Sequence, residues 1–212
     1  MRSPVALTAL LSCIAVLGLP GAAGAADCPG SDLPASAGNV QGMTAATLCL
    51  LNDQRTSNGL RPLTEQSQLD AASLGHSQDM VRNQYFGHDS LNGGDFVDRL
   101  IAAGYALTEN DGWALGENLA WGSNELSTPA QIVNALMHSP GHRANILDHG
   151  YTEIGIGIVL GAPRANTPDA ATYTTDFGSG KTAKAAVAPA KKKVKKAKKR
   201  VKKSVSKKRT RR

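Results

Sequence analysis

The chain is 212 residues long with a formal net charge of +7, and that average hides two opposite parts. Residues 1–180 carry seven Arg against all 17 Asp and Glu, a formal −10, whereas residues 181–212 carry the other 17 basic residues and no acid. The split excludes a single basic domain that meets nucleic acid across its whole fold, and no apolar run after the N-terminus is long enough for a membrane channel.

At the N-terminus, Arg2 precedes a nearly all-apolar stretch from Val5 to Leu19. Pro20 and Gly21 break it, and Ala22–Ala26 offers small-residue cleavage sites. Residues 1–26 therefore read as a secretory signal peptide cleaved after Ala26, and the mature protein is expected to be secreted or attached to the cell envelope. The apolar run is short for the alternative, an uncleaved anchor helix. Cys13 leaves with the leader. Cys28 and Cys49 remain and bracket a Pro/Gly/Ser-rich stretch. In an oxidising compartment they fit a disulfide, with two free buried thiols as the alternative. Residues 27–43 read as an irregular segment and residues 44–177 as one domain.

Within that domain, Thr44 to Ser57 has apolar residues at helical spacing and ends at the turn signal Asn58-Gly59. An extended Arg-Pro-Leu connector leads to a second helix, Gln66 to Asn83, with an apolar stripe through Leu69, Ala72 and Met80. Asp95 to Ala103 is a short helix closed by Gly104. Ala114 to Gly122 is apolar but bears Glu117. Thr128-Pro129 and Ser139-Pro140 each place a cap residue before a helix-initiating Pro, which predicts helices to about His138 and Leu147. Thr152 to Leu160 alternates Ile154, Ile156 and Ile158 with Gly155 and Gly157, a strand whose glycine face admits a closely packed backbone. Thr172 to Phe177 alternates again. Helices first and strands last give an α+β class, with a mainly antiparallel sheet sandwiched by helices.

Three of the five His, His88, His142 and His149, sit near element ends, where side chains can converge. His142 falls in the first turn of a short helix, whose positive end favours the neutral ring that binds a metal or accepts a proton. A carboxylate in the apolar Glu117 segment is costly unless something pairs with it. By donor chemistry, His88, Glu117 and His142 could form a two-His, one-carboxylate site, although spacing alone does not bring them together. The bland alternative is surface histidines and one hydrogen-bonded core Glu. His76 reads as a helix-packing residue, Arg143 and Asn145 as groups that orient loops, and Trp113 and Trp121 as core.

Six segments stand in order: Leu50-Leu51-Asn52-Asp53-Gln54-Arg55, His76-Ser77-Gln78-Asp79-Met80, Tyr85-Phe86-Gly87-His88, Gly116-Glu117-Asn118-Leu119-Ala120, Ser139 through Leu147, and Tyr151 through Gly157. Together they resemble the CAP superfamily (cysteine-rich secretory proteins, antigen 5, pathogenesis-related 1 proteins) in its bacterial secreted branch. The resemblance implies a three-layer α/β/α sandwich with a cleft lined by two His and two Glu. His88, Glu117 and His142 fall on the two His and the first Glu. The second Glu has no match, and Glu153 is a guess for a replacement. The family implies a secreted binding module more than a general catalyst, with a small ligand or peptide in the cleft and Zn2+ held by His88, His142 and Glu117. The alternative is an extracellular hydrolase in which a metal, or Glu117 as general base with His142, activates water.

From Gly178 to Arg212 the chain is low in complexity and, beyond Lys181, dense in like charge without an aromatic residue, so it reads as a disordered tail. Its simple electrostatics suit polyanions: acidic envelope polymers, anionic lipid, or DNA bound without sequence preference. The mature protein is expected to be a monomer.

Overall fold

The computed structural model describes residues 27–105 and 114–179. The expected leader, Trp113 and the basic tail lie outside the described residues. Helix α1 (Val40–Ser57) starts four residues before the expected Thr44 and ends where the Asn58 N–H returns to the carbonyls of Arg55 and Thr56. The early start adds Val40 and Met43 to the apolar face, with Gly42 between them in the first turn. Helix α2 (Ser67–Asn83) is capped by the Gln66 side chain, which accepts from the N–H groups of Gln68 and Leu69. Helix α3 (Phe96–Ala102) opens on a reciprocal capping box between Asp95 and Asp98. Helix α4 (Pro129–His138) is capped by Thr128, and α5 (Pro140–Ile146) follows from Ser139 with Pro at its first turn.

The sheet has the order β1-β3-β4-β2, built from β1 (Thr64–Glu65), β2 (Leu115–Ser123), β3 (Glu153–Leu160) and β4 (Ala170–Gly178). The β2–β4 and β3–β4 pairs are antiparallel, and the two-residue β1 runs parallel to β3. The sheet is therefore mixed, mainly antiparallel. The segment expected only to be apolar around Glu117 is the strand β2, and the connector after α1 contributes β1.

Strand alternation sorts the two faces. On one face Ile154, Ile156 and Ile158, with Tyr173 and Phe177 of β4, pack against Met43 and Leu51 of α1, Ile132 and Leu136 of α4, and Ile146 of α5. The other face is sealed by α2, whose backbone passes so close that a Cβ at Gly155 or Gly157 would overlap the backbone of Leu69 or of Ser73 and Leu74. Small hydroxyls tie this layer down: Ser77 donates to the Gly157 carbonyl at 2.9 Å and shares a hydrogen bond with Thr174 at 2.8 Å. Helices thus cover both sides of the sheet, a three-layer α/β/α arrangement in the α+β class.

Cys28 and Cys49 form a disulfide with Cα atoms 5.7 Å apart, fastening the irregular N-terminal segment to α1. Arg55 fastens the other end of α1. Its fully buried guanidinium donates to the carbonyls of Arg61, Ile146, Asp148 and Tyr151 at 2.8–3.1 Å.

Candidate functional site

Glu117 lies on the edge strand β2 with its side chain 1% exposed, facing the α2 layer. A carboxylate this buried needs partners on both oxygens. Oε1 accepts from His88 Nδ1 at 2.8 Å, and Oε2 accepts from Arg99 Nη2 at 2.6 Å. Arg99 comes from α3 and also reaches Ser90 Oγ with Nη1 at 3.2 Å.

His88 sits on the loop after α2, and its side chain is 56% exposed. A carboxylate only accepts, so Nδ1 carries the hydrogen toward Glu117 and Nε2 is left for a ligand or a proton. The loop itself is pinned by His76, a fully buried residue of α2 whose Nε2 meets the Gly87 carbonyl at 2.9 Å. His76 therefore does pack its helix, and it also fixes the residue before His88.

His142 lies on α5, whose backbone meets β2 through Asn118. Burial lowers its proton affinity, and the nearby charge of His88 lowers it further, so the ring is biased toward its neutral form. Asn118 and Asn145 dock its helix against the strand. Asn118 Nδ2 donates to the His142 carbonyl at 3.1 Å, while Asn145 Nδ2 donates to the Glu117 carbonyl at 3.2 Å and to Asn118 Oδ1 at 2.9 Å. Asn145 orients the segment, the part its sequence position suggested.

The structure thus gathers His88 and Glu117 directly, with His142 as a neighbour. Glu153 stands elsewhere, at the start of β3, where Oε2 accepts from the Tyr105 hydroxyl at 2.6 Å. No hydrogen bond or ion pair joins it to His88, Glu117 or His142 among the described residues. His138 bonds within its own helix, and His149 is almost fully exposed. Among the described residues no group of three or more His, Cys, Asp or Glu side chains is arranged to hold a metal ion.

Two members of the site were not anticipated from the sequence. Arg99 is one cation in a short helix that was read only for its extent. Asp176 is the residue of β4 directly opposite Glu117 in the antiparallel ladder, so both side chains share a face. It is 1% exposed, and its Oδ2 accepts from Ser73 Oγ at 2.7 Å while Oδ1 has no partner among the described residues. Burial first, then the Glu117 charge, push its carboxyl well above the usual carboxylate range. An isolated acid breaking the Thr-rich run of β4 was the signal available for it.

A family model, CAP (cysteine-rich secretory protein family), matches residues 48–177. The chain is similar to the uncharacterized protein YkwD of Bacillus subtilis (strain 168), 37% identical over 110 residues, which is 52% of this chain and 40% of that protein. It is also similar to the uncharacterized membrane protein YlbC of the same organism, 36% identical over 111 residues, 52% of this chain and 30% of that protein. The chain thus spans less than half the length of these relatives. Among solved structures, an extracellular SCP-domain protein of Bacillus anthracis superposes with a TM-score of 0.53 at 27% identity, covering 68% of this chain and 44% of that one. An outer surface protein of Borrelia burgdorferi, at 18% identity, a TM-score of 0.51, and coverage of 63% of this chain and 90% of that one, shares the fold.

Proposed function

The chain belongs to the CAP family, and from that premise we propose that it works as an exported, non-enzymatic binding module whose cleft presents two imidazoles to a divalent metal or a small ligand. The observation that carries this reading is the held geometry of His88: Glu117 fixes Nδ1, Arg99 fixes Glu117, and Nε2 is left over beside the neutral-biased ring of His142. A carboxylate behind an imidazole is the arrangement that orients a metal-binding histidine. Two imidazole nitrogens fit Zn2+ with water completing the sphere. Glu117 does not fit as the third ligand, because both of its oxygens are engaged; it suits a positioning part behind His88. Bound Zn2+ would supply a Lewis-acidic position open to a ligand oxygen or nitrogen. No described helix is long and apolar enough to cross a membrane. The solved neighbours include an extracellular and an outer surface protein, which supports export.

Zinc titration of the mature protein tests this. Binding near one equivalent is expected, weakened at least tenfold by His88→Ala and by His142→Ala, and weakened less by Glu117→Gln. Absence of zinc binding, or binding indifferent to both histidines, would refute the metal reading. The neutral bias of His142 also suits a general base, so peptide and ester turnover is assayed alongside; turnover lost in His142→Ala would favour the hydrolase. For the tail, the proposal is a tether to anionic envelope polymers or lipid. Its retention should fall steeply between about 50 and 200 mM salt and vanish on removal of Lys181–Arg212.

A further inference from the structure

The sequence holds two Asn-Gly pairs, Asn58-Gly59 and Asn92-Gly93. Glycine has no side chain to shield its amide nitrogen, so in each pair that nitrogen can approach the amide carbon of the preceding side chain. In sequence the two pairs are alike; the fold separates them.

Asn58 caps the C-terminus of α1, and its Nδ2 donates to the Gln54 carbonyl at 2.7 Å. That bond turns the side-chain amide back along the helix, away from the Gly59 nitrogen. Asn92 lies on the loop between α2 and α3 and is exposed. Its Oδ1 reaches forward and accepts from the Gly94 N–H at 3.1 Å. This Asx turn folds the side chain across the intervening Gly93 peptide and brings Cγ to the side of the Gly93 nitrogen. Gly93 is also open to solvent. It has φ +88°, and beyond its neighbours in the chain nothing lies within 4 Å of where a Cβ would stand. Both glycine N–H groups donate within tight turns, Gly59 to the Thr56 carbonyl at 3.0 Å and Gly93 to the Ser90 carbonyl at 2.8 Å, so that protection is common to the two pairs. The direction of the asparagine side chain is what differs, and an intramolecular attack depends on that placement.

We propose that Asn92 is a site of spontaneous deamidation selected by the fold. The Gly93 nitrogen gives its proton to base and attacks Cγ of Asn92. The Cγ–Nδ2 bond breaks, Nδ2 takes a proton from water and leaves as ammonia, and a five-membered succinimide remains. Water then adds to one of the two ring carbonyls and opens the ring to aspartate or isoaspartate, with no oxidation or reduction. The position gives the change a consequence. Asn92 shares a concavity with Arg82 and Arg99, so either product adds a negative charge beside the cation that holds Glu117. The isoaspartyl form also lengthens the backbone inside the turn that the Ser90 N–H closes on the Gly94 carbonyl at 2.9 Å, in the loop that carries His88.

The test incubates the purified full chain in mildly alkaline buffer, folded and in urea. The peptides carrying Asn58 and Asn92 are then followed by mass spectrometry, with aspartyl and isoaspartyl forms separated by chromatography. In the folded chain Asn92 is expected to convert about tenfold faster than Asn58. In urea, where only the sequence acts, the two rates should converge. Asn92→Gln, whose longer side chain closes a less favoured six-membered ring, should stop conversion at the loop. Absence of conversion at Asn92 in the fold, conversion of Asn58 at an equal or greater rate there, a preference for Asn92 that persists in urea, or loop conversion undiminished in Asn92→Gln would overturn the proposal. No metal enters the reaction, so its outcome and that of the zinc titration are independent.

Discussion

Glu117 and Asp176 face each other across one rung of the β2–β4 ladder, and their surroundings treat them differently. Glu117 has a guanidinium and an imidazole, whereas Asp176 has one serine hydroxyl. The folded Asp176 therefore keeps its proton to a higher pH than the unfolded chain, which releases it near pH ~4. Between those two values the native state binds the extra proton, so this residue's contribution to stability declines as pH rises. Asp176→Asn keeps the shape and the Ser73 partner and removes the titration. In urea denaturation from pH 4 to 8, the variant should gain on the wild type steadily as pH rises; a difference independent of pH would rule this out. Arg55 is a second single-residue dependence. Arg55→Met leaves four carbonyls without their donor, two of them in buried contacts worth roughly 1–3 kcal/mol each, so a loss of about 2 kcal/mol or more is expected by urea denaturation. Arg55→Lys should recover only part of it, because an ammonium lacks the planar fork that spans the four oxygens.

At the scale of elements, the contact between α2 and β3 depends on two residues having no side chain. Gly157→Ala would push a methyl into the α2 backbone, which cannot step aside as a flexible side chain would. Overpacking of this kind costs about 1–3 kcal/mol or more, so a melting temperature lower by several degrees is expected from calorimetry. Gly141→Ala, on the exposed first turn of α5 with open space around it, should leave the midpoint within a degree or two. This glycine face was legible in the sequence, because alternation with Ile left it no other place. The starts of α3, α4 and α5 were legible too, because caps and N-terminal prolines act within one turn. Strand β2 was not: it is covered on both faces, so its residues show no alternation of apolar and polar. The site was legible by half. Glu117 stood out as an acid in an apolar segment and His88 and His142 as histidines near element ends, while the family resemblance, not spacing, grouped them. Arg99 and Asp176 reach Glu117 from elsewhere in the chain, and nothing local in the sequence says which residue of another strand or helix an acid will meet.

Over the whole molecule, the N-terminal segment has little core of its own and depends on the Cys28–Cys49 bond. That bond closes a loop with a sequence separation of 21, and removing it should cost about 3 kcal/mol through the freedom restored to the unfolded chain. A Cys28→Ser/Cys49→Ser double variant should show that loss in urea, and a reducing agent should reproduce it in the wild type. The order of the sheet has another consequence. Among the described strands β4 is the last to leave the ribosome, yet it sits between β3 and β2 and joins them. Until residues 170–178 are available, β2 has no strand to pair with, and β3 has only the two-residue β1. Pairings so distant in sequence form late. The nascent domain should therefore remain loose and threadable almost to its end, then close in one event; a ribosome stalled before Ala170 would present a protease-sensitive chain, and one stalled well past Gly178 a resistant domain.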